Sequence, residues 1–293
     1  MTHHAHSDRL LTPTRRQWLG WAAAASCAAA GALPGEAAEQ SSPPPKKAAP
    51  RPFHLGLASY TLREFPLEQA LAMTRRVGLE YICLKSFHLP LEASRDQIAK
   101  AAAQVREAGL VLYAGGVISM KDEAQVNQTF DYAQAAGMKV IVASPVPEVL
   151  PLVERKVQEC DLRVAIHNHG PGDKTYPTPE SVYRRVEGLD RRVGLCMDIG
   201  HTARIGADPV ADVRRFADRL LDVHFKDVSA ATPQGVCVEA GRGVLDLPGF
   251  LAALIEIGYS GVVAFEFEKD EKDPLPGLAE SVGYARGVLA ALP

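Results

Sequence analysis

Four apolar segments in the second half of the chain end in side chains that bind divalent metals. The first ends in His167 and His169, and because residues two apart share one face of a β-strand, both imidazoles point the same way. The other three segments supply Asp198, His224 and Glu266. Imidazole nitrogens and carboxylate oxygens form mixed sites for Mn, Zn, Co or Fe. One residue from each segment, with His167 from the first, therefore predicts a site for one divalent ion of undetermined identity.

Several ionisable residues beside the predicted ligands could act as a general acid or base. A cation that polarises a carbonyl acidifies the neighbouring C–H bond, and a side chain must then accept the proton. The candidates for this acid or base are the predicted ligand Glu266 and four residues that lie two or three positions after a predicted ligand: His169, Lys226, Asp227 and Glu268. A single strand-end histidine or aspartate is as often a structural hydrogen-bonding group, but several buried together require a counter-ion.

Strand-like and helix-like segments alternate from residue 54 to the C-terminus and would position these side chains. Eight strand-then-helix units fit into residues 54–293, and the strands are rich in Val, Ile and Leu, as in a sheet buried on both faces. The pattern predicts an α/β fold, a parallel (β/α)8 TIM barrel. A doubly wound open sheet is the alternative, but no glycine-rich phosphate fingerprint follows the first strand.

The histidines of this region gather at one end of the predicted strands. His54 begins a strand, whereas the others lie at or just past strand ends: His88, His167, His169, His201 and His224. Active sites of such barrels form at the carboxyl ends of the strands. Lys85 and His88 follow the second strand, where they could hold sugar hydroxyls, although an ordinary polar surface loop explains them equally well.

Charge and cysteine content narrow the possible functions. A net charge of −3 and an isoelectric point near 6.3 provide no basic surface for nucleic acid, which also disfavours a metal-dependent nuclease. The five cysteines are odd in number and irregularly spaced, so they fit neither a disulfide framework nor a cysteine-type zinc site. A small-molecule partner is therefore expected, and the sequence leaves open whether the chain forms a homo-oligomer.

The N-terminal region has the features of an export signal. Arg15 and Arg16 precede Gln-Trp-Leu and an Ala-rich apolar run too short to span a membrane, which predicts a twin-arginine signal peptide over residues 1–38. The twin-arginine (Tat) export machinery would then be a partner in transit, and the periplasm the destination. A lipoprotein signal ending at Cys27 and an uncleaved tail are the alternatives. Residues 39–53 are predicted to be a disordered Pro-rich linker, and 54–293 the catalytic domain.

Five motifs carry a family resemblance when taken in order. The series AIHNHGP, CMDIGH, DVHFKD, VEAGRGVLD and AFEFE resembles the xylose isomerase-like TIM barrels grouped as sugar phosphate isomerases and epimerases. The resemblance implies metal ligands from the fifth to eighth strands, at the four positions proposed above. It also implies that His201 contacts a substrate oxygen, and that Arg242 is a substrate-side arginine.

One departure from the family pattern bears on the reaction. Epimerases of this family carry Glu at the fifth-strand position, where this chain has His167, and a metal-bound imidazole is a poor general base. The primary prediction is a metal-dependent sugar isomerase or epimerase that works through an enediolate. A lyase or hydratase acting on 3-keto sugars or 3-keto glycosides is the first alternative, since one base suffices for elimination. A non-catalytic sugar-binding barrel is the second.

Overall fold

A computed structural model describes residues 52–293 of the chain. Ten strands occur in this part: β1 His54–Ala58, β2 Tyr81–Leu84, β3 Val111–Met120, β4 Val140–Pro145, β5 Arg163–His167, β6 Val193–Asp198, β7 Leu220–Phe225, β8 Asp227–Val228, β9 Cys237–Val238 and β10 Val262–Phe265. The α-helices are α1 Leu67–Arg76, α2 Arg95–Glu107, α3 Glu123–Ala136, α4 Leu150–Glu159, α5 Pro179–Val186, α6 Ile199–Arg204, α7 Pro209–Arg215, α8 Leu247–Glu256 and α9 Leu275–Ala291.

Eight of these strands form a closed parallel barrel. Their order around the barrel is β1-β10-β7-β6-β5-β4-β3-β2, so chain neighbours are spatial neighbours and β1 closes the ring against β10. Helices pack outside the strands that precede them, and this confirms the predicted (β/α)8 TIM barrel. The two remaining strands, β8 and β9, pair antiparallel in a short ribbon at the carboxyl end of β7.

Local sequence signals explain where two of the helices begin. Ser94 accepts a hydrogen bond from the Gln97 amide, and the Gln97 side chain accepts one from the Ser94 amide, which together form a capping box at the start of α2. Thr178 and Ser181 form the same reciprocal pair at α5, with Pro179 at the first helical position. These caps satisfy amides that would otherwise lack partners, so each helix begins at a defined residue.

Two layers of apolar side chains hold the barrel together. The larger layer lies between strands and helices and contains mostly Leu, Ile, Val and Phe. The smaller layer fills the barrel interior with short side chains such as Ala58, Ala165 and Ala264, together with Cys83 and Cys196. Small residues inside the barrel leave space at its carboxyl end, where larger polar side chains extend inwards.

Several features of the structure were not apparent from the sequence. Strand β3 continues to Met120 through a register shift at Gly116, whose φ of +132° and close approach to the Val142 carbonyl exclude a side chain. Helix α6 and the β8–β9 ribbon were not predicted. Strand β10 ends at Phe265, one residue before Glu266. Phe53, assigned to the linker, is buried in the core.

The predicted signal peptide and nearly all of the predicted linker lie outside the described residues. Within residues 52–293, none of the helices has the length and apolar character needed to cross a bilayer.

Candidate metal centre

The four predicted metal ligands meet at the carboxyl end of the barrel. His167 and Asp198 are the last residues of β5 and β6, His224 is the penultimate residue of β7, and Glu266 follows β10 directly. The register pairs Asp198 with His224, so adjacent strands present these side chains at the same height. All four residues are buried, and each offers one ligand atom lying within 4.8 Å of the other three.

The ligand atoms approach each other closely without forming hydrogen bonds. His167 Nε2 lies 3.4 Å from Asp198 Oδ2, and His224 Nδ1 lies 3.2 Å from Glu266 Oε2. Among residues 52–293, no group forms a hydrogen bond of acceptable geometry with any ring nitrogen of His167 or His224. Buried polar atoms are rarely left unpaired, so these nitrogens are arranged for a ligand other than a protein group.

The protonation states of this group also suit a metal. Burial lowers the pKa of His167 well below its ordinary value, so its imidazole is neutral and has a nitrogen lone pair to donate. Burial alone would raise the pKa of Asp198, but His201 and Lys226 outweigh it and hold the carboxyl ionised. The same balance holds for Glu266, whose pKa His224 and Lys226 keep well below normal against the effect of burial.

Two lysines neutralise the carboxylates. Lys226 Nζ lies 2.9 Å from Asp198 Oδ2 and 2.9 Å from Glu266 Oε2, and it also contacts Glu268. Lys85 Nζ lies 2.8 Å from Glu266 Oε1. Although burial opposes it, the surrounding carboxylates raise the pKa of Lys226 well above its ordinary value, so this side chain is a cation. A protonated amine is a poor base, which argues against Lys226 as the proton acceptor.

Hydrogen bonds behind the ligands fix their positions. The Asn168 side chain accepts from the Asp198 amide at 3.0 Å and donates to Thr202 Oγ1 at 3.1 Å, which ties β5 to the start of α6. Asp198 Oδ1 accepts from the His201 amide at 2.8 Å and caps that helix. Gly200 is required here, because a Cβ would lie 2.4 Å from Lys226 Cγ.

A cavity of about 420 Å³ opens above the ligands. Its walls contain several predicted residues: Lys85, His167, His169, His201, Glu266 and Glu268. Tyr60, Ser86, Phe87 and Val117 complete it, and the sequence did not single out Tyr60, Ser86 or Val117. Its volume lies within the ~300–1,000 Å³ typical of small-molecule sites.

His169 stands at the wall of this cavity, backed by a carboxylate. Its Nδ1 lies 3.3 Å from Asp173 Oδ2, and Asp173 Oδ1 accepts from the amides of Thr175 and Tyr176 at 2.6 and 2.8 Å. The Asp173 carboxylate is therefore held in place by its own loop. Burial lowers the pKa of His169, and Asp173 offsets part of that effect, so the ring is neutral near pH 7.

Three predicted site residues lie elsewhere or are already engaged. His88 bonds Ser59 Oγ through Nδ1 at 2.9 Å and the Phe65 carbonyl through Nε2 at 3.0 Å, and it does not line the cavity. The Arg242 side chain is 62% exposed and paired with Glu280, with Nη2 2.7 Å from the carboxylate. Asp227 accepts from backbone amides, including those of residues 241 and 243, and is a structural residue. The structure therefore places His88 and Arg242 outside the lining of this cavity and Asp227 among backbone amides, and their predicted roles in substrate binding and proton transfer stay predictions.

Sequence reasoning missed the supporting residues of the centre. Asn168 lies between the two histidines of the HNH motif, and its position was the available signal. Asp173 lies four residues after His169, but only the fold of the intervening glycine-containing loop brings the two side chains together.

A second polar layer lies one step deeper inside the barrel. Asp222 is fully buried, accepts a hydrogen bond from the Tyr113 hydroxyl at 3.2 Å, and lies 3.8 Å from Cys196 Sγ. Burial raises its pKa to about 6, against smaller opposing effects of His224 and Tyr113. Asp222 precedes His224 by two residues and pairs in register with Cys196.

Comparison with known proteins gives a consistent family assignment. A family model described as a xylose isomerase-like TIM barrel matches residues 71–288, well over half of the chain. An inosose dehydratase of Geobacillus kaustophilus is 31% identical over 145 residues, covering 44% of this chain and 45% of that protein. The chain thus spans less than half the length of the curated relatives it matches.

Solved structures share the fold over most of the chain. The IolI protein with a bound zinc atom superposes with a TM-score of 0.68 at 20% identity, covering 82% of this chain and 98% of that one. A 3-keto-D-glucoside 4-epimerase from E. coli superposes with a TM-score of 0.66 at 16% identity, covering 80% and 99%. At these identities the likeness establishes the fold.

Proposed function

Since the chain belongs to the xylose isomerase-like TIM barrel family, we propose that it is a metal-dependent enzyme that removes a proton adjacent to the carbonyl of a keto carbohydrate. The observation that carries this proposal is the buried group of His167, Asp198, His224 and Glu266, whose ligand atoms lie within 4.8 Å of one another. These residues would hold one divalent ion. When bound, such an ion polarises a carbonyl and stabilises an enolate.

His169 is the best-placed base among the predicted candidates. Its neutral ring lines the cavity, and Asp173 next to Nδ1 leaves Nε2 as the nitrogen that can accept a proton. Asp173 would also stabilise the imidazolium that forms, as a carboxylate does behind a catalytic histidine. Lys226 is cationic and Asp227 is occupied by backbone amides, so neither competes for this role.

A single base favours elimination as the outcome. The C–H proton passes to His169 Nε2, the C–H electron pair becomes a C=C bond, and the C–O bond of the neighbouring carbon breaks. The leaving oxygen takes up a proton and departs as water or an alcohol, with no net oxidation or reduction. His201 faces the same cavity, its ring centroid 6.4 Å from that of His169, and is placed to supply this proton. The inosose dehydratase relative supports this outcome.

Isomerisation or epimerisation is the second candidate, and Glu268 favours it. Returning a proton to the opposite face of a carbon requires a second acid, and Glu268 lines the same cavity as His169. The sugar epimerase with the same fold is consistent with this reaction.

The test is to incubate metal-loaded protein with a panel of keto sugars and 3-keto glycosides in D₂O and follow the products by NMR. Elimination gives an unsaturated product with release of water or alcohol, whereas epimerisation gives an isomeric sugar carrying deuterium. A chelator should abolish either reaction. Binding without turnover, insensitive to chelator, would instead identify a non-catalytic sugar-binding barrel.

We also propose that the enzyme is exported. The support is the order of Arg15-Arg16, apolar run and small residues ahead of a Pro-rich stretch. Cell fractionation of the full chain and of an Arg15→Lys, Arg16→Lys variant tests it. Export of the native chain and retention of the variant in the cytoplasm are expected, and equal distribution of the two would contradict the proposal.

A further inference from the structure

The cavity above the candidate metal ligands is called the metal cavity here. A second cavity of about 420 Å³ adjoins it at the mouth of the barrel. His201 and Glu268 line both spaces, so they form the boundary over which a molecule occupying both would lie. The buried Lys226 side chain lines the second cavity, and its ammonium contacts Asp198 and Glu266 in the candidate metal centre. The second cavity therefore adjoins the proposed site of proton removal.

The wall of the second cavity is a fixed part of the fold. Strands β8 and β9 form it, and Asp227 anchors them by accepting from the amides of Val228, Gly241 and Gly243 at 2.9, 2.9 and 3.0 Å. Gly235 turns the connecting loop so tightly that a Cβ would lie 2.1 Å from the Ala230 carbonyl oxygen. A cavity with such walls is preformed, as ligand sites usually are.

The chemistry of this cavity suits an uncharged, hydroxyl-bearing group. Val236 and Val238 supply apolar surface, while Arg204 provides polar donors, one of which already bonds the Pro233 carbonyl at 2.9 Å. Its Nε is buried and has no hydrogen-bond partner within the described part of the chain. Lys226 and Lys269 are paired with the carboxylates of Glu268 and Glu239, whereas Arg204 has no carboxylate partner within the described residues and its guanidinium can donate to sugar hydroxyls.

We infer that the substrate is a two-ring carbohydrate, a keto glycoside whose reacting ring occupies the metal cavity and whose second sugar occupies the cavity lined by Val236 and Arg204. This inference rests on the proposed function. It also places the glycosidic oxygen near the boundary residues, so that the alcohol released on elimination would be the second sugar.

The experiment compares 3-keto-D-glucose with a glucose disaccharide carrying the 3-keto group on its non-reducing ring, using metal-loaded protein. Val236→Trp fills the second cavity. Val244→Trp is the matched control, because Val236 and Val244 are 63% and 55% exposed and Val244 lies outside that cavity. We expect the native protein to prefer the disaccharide by at least about tenfold in kcat/KM, the lower end of the discrimination that even one added methylene gives in an apolar pocket. Val236→Trp should remove this preference without changing the monosaccharide rate, and Val244→Trp should preserve it.

Calorimetric binding of both sugars separates the two proposals. If neither sugar reacts but the disaccharide binds at least tenfold more tightly and Val236→Trp abolishes that difference, the reaction is wrong and the second cavity is a sugar site. Equal affinity and equal rate for the two sugars in the native protein would overturn the inference. An equal loss of kcat/KM and affinity for both sugars in the Val236→Trp variant would also overturn it.

Discussion

Two carboxylates on neighbouring strands of the same barrel have opposite properties. Asp198 and Asp222 are both fully buried, and they lie in successive layers of the interior. Burial raises the pKa of Asp222 to about 6, whereas His201 and Lys226 overcome burial at Asp198 and keep its pKa below normal. Depth alone therefore does not decide whether a carboxylate in this barrel is charged.

The difference comes from the partners that each layer provides. The upper layer brings two lysines, Lys85 and Lys226, to Asp198 and Glu266, and these cations compensate for the hydration that the carboxylates lose on burial. In the lower layer Asp222 contacts the Tyr113 hydroxyl and a cysteine thiol, and the effects of His224 and Lys85 on its pKa are too small to overcome burial. The charged Asp198 beside unpaired imidazoles is a candidate metal ligand, whereas Asp222 has the contacts of a structural hydrogen-bonding group.

An Asp→Asn substitution in each layer should give the largest difference in metal affinity between the two layers. Asp198→Asn keeps the oxygen that caps α6 but removes the charge, and should lower metal affinity by more than the ~10–100-fold that outer residues of metal sites contribute. Asp222→Asn should change metal affinity by less than about threefold. Metal titration of both purified variants measures this. Similar losses in the two variants would mean that the layers are not functionally distinct.

Removing the Lys226 ammonium should make the stability of the upper layer, which contains Asp198 and Glu266, depend on bound metal. Lys226→Met leaves two buried carboxylates without their shared partner, which should cost the metal-free protein about 3–5 kcal/mol. Because a divalent ion replaces the lost positive charge, metal should raise the unfolding free energy of this variant more than that of the native protein. Urea unfolding with and without metal measures both quantities. An equal gain in the two proteins would show that Lys226 does not share the carboxylates with the ion.

Asp173 should affect the reaction without affecting the metal. Asp173→Asn keeps the oxygen that accepts from the Thr175 and Tyr176 amides but removes the charge beside His169. We expect kcat to fall about 10²–10⁴-fold, the usual contribution of general acid–base catalysis, with KM and bound metal unchanged. Steady-state kinetics and elemental analysis on one preparation check this. A matching loss of metal would reassign Asp173 to the support of the metal site.

The smallest expected effect is on the pH dependence of stability, and it comes from His88, a buried histidine outside the candidate site. Burial lowers the pKa of His88, so the folded state favours its neutral form. This contribution to stability is present above the ordinary pKa of about 6.5 and is lost as the pH falls below it. His88→Gln should be less sensitive to acid between pH 7 and pH 5, while activity at pH 7.5 changes by less than about threefold. Thermal melts across this range measure the difference, and parallel pH profiles would contradict it.

The sequence predicted the barrel and the grouping of its four candidate metal ligands because both depend on strand periodicity. Strand parity and the position of each strand's end were enough to bring His167, Asp198, His224 and Glu266 together. It did not predict the β8–β9 ribbon, because strands of two residues have no periodicity to detect.

The direction of side chains in loops was the second feature that could not be predicted from the sequence. His88 follows a strand as His167 does, yet its ring turns towards Ser59 and Phe65 instead of the cavity. Arg242 lies in a family-like motif, but Glu280, a residue of α9 distant in sequence, binds its guanidinium. These contacts arise from the packing of distant segments, and local patterns do not encode them.

Anomalous X-ray scattering from crystals grown with a divalent metal tests the central claim most directly. We predict a single strong peak within bonding distance of His167, Asp198, His224 and Glu266. A fully loaded crystal with no peak at this position, or with its only peak at another cluster of side chains, would contradict the account.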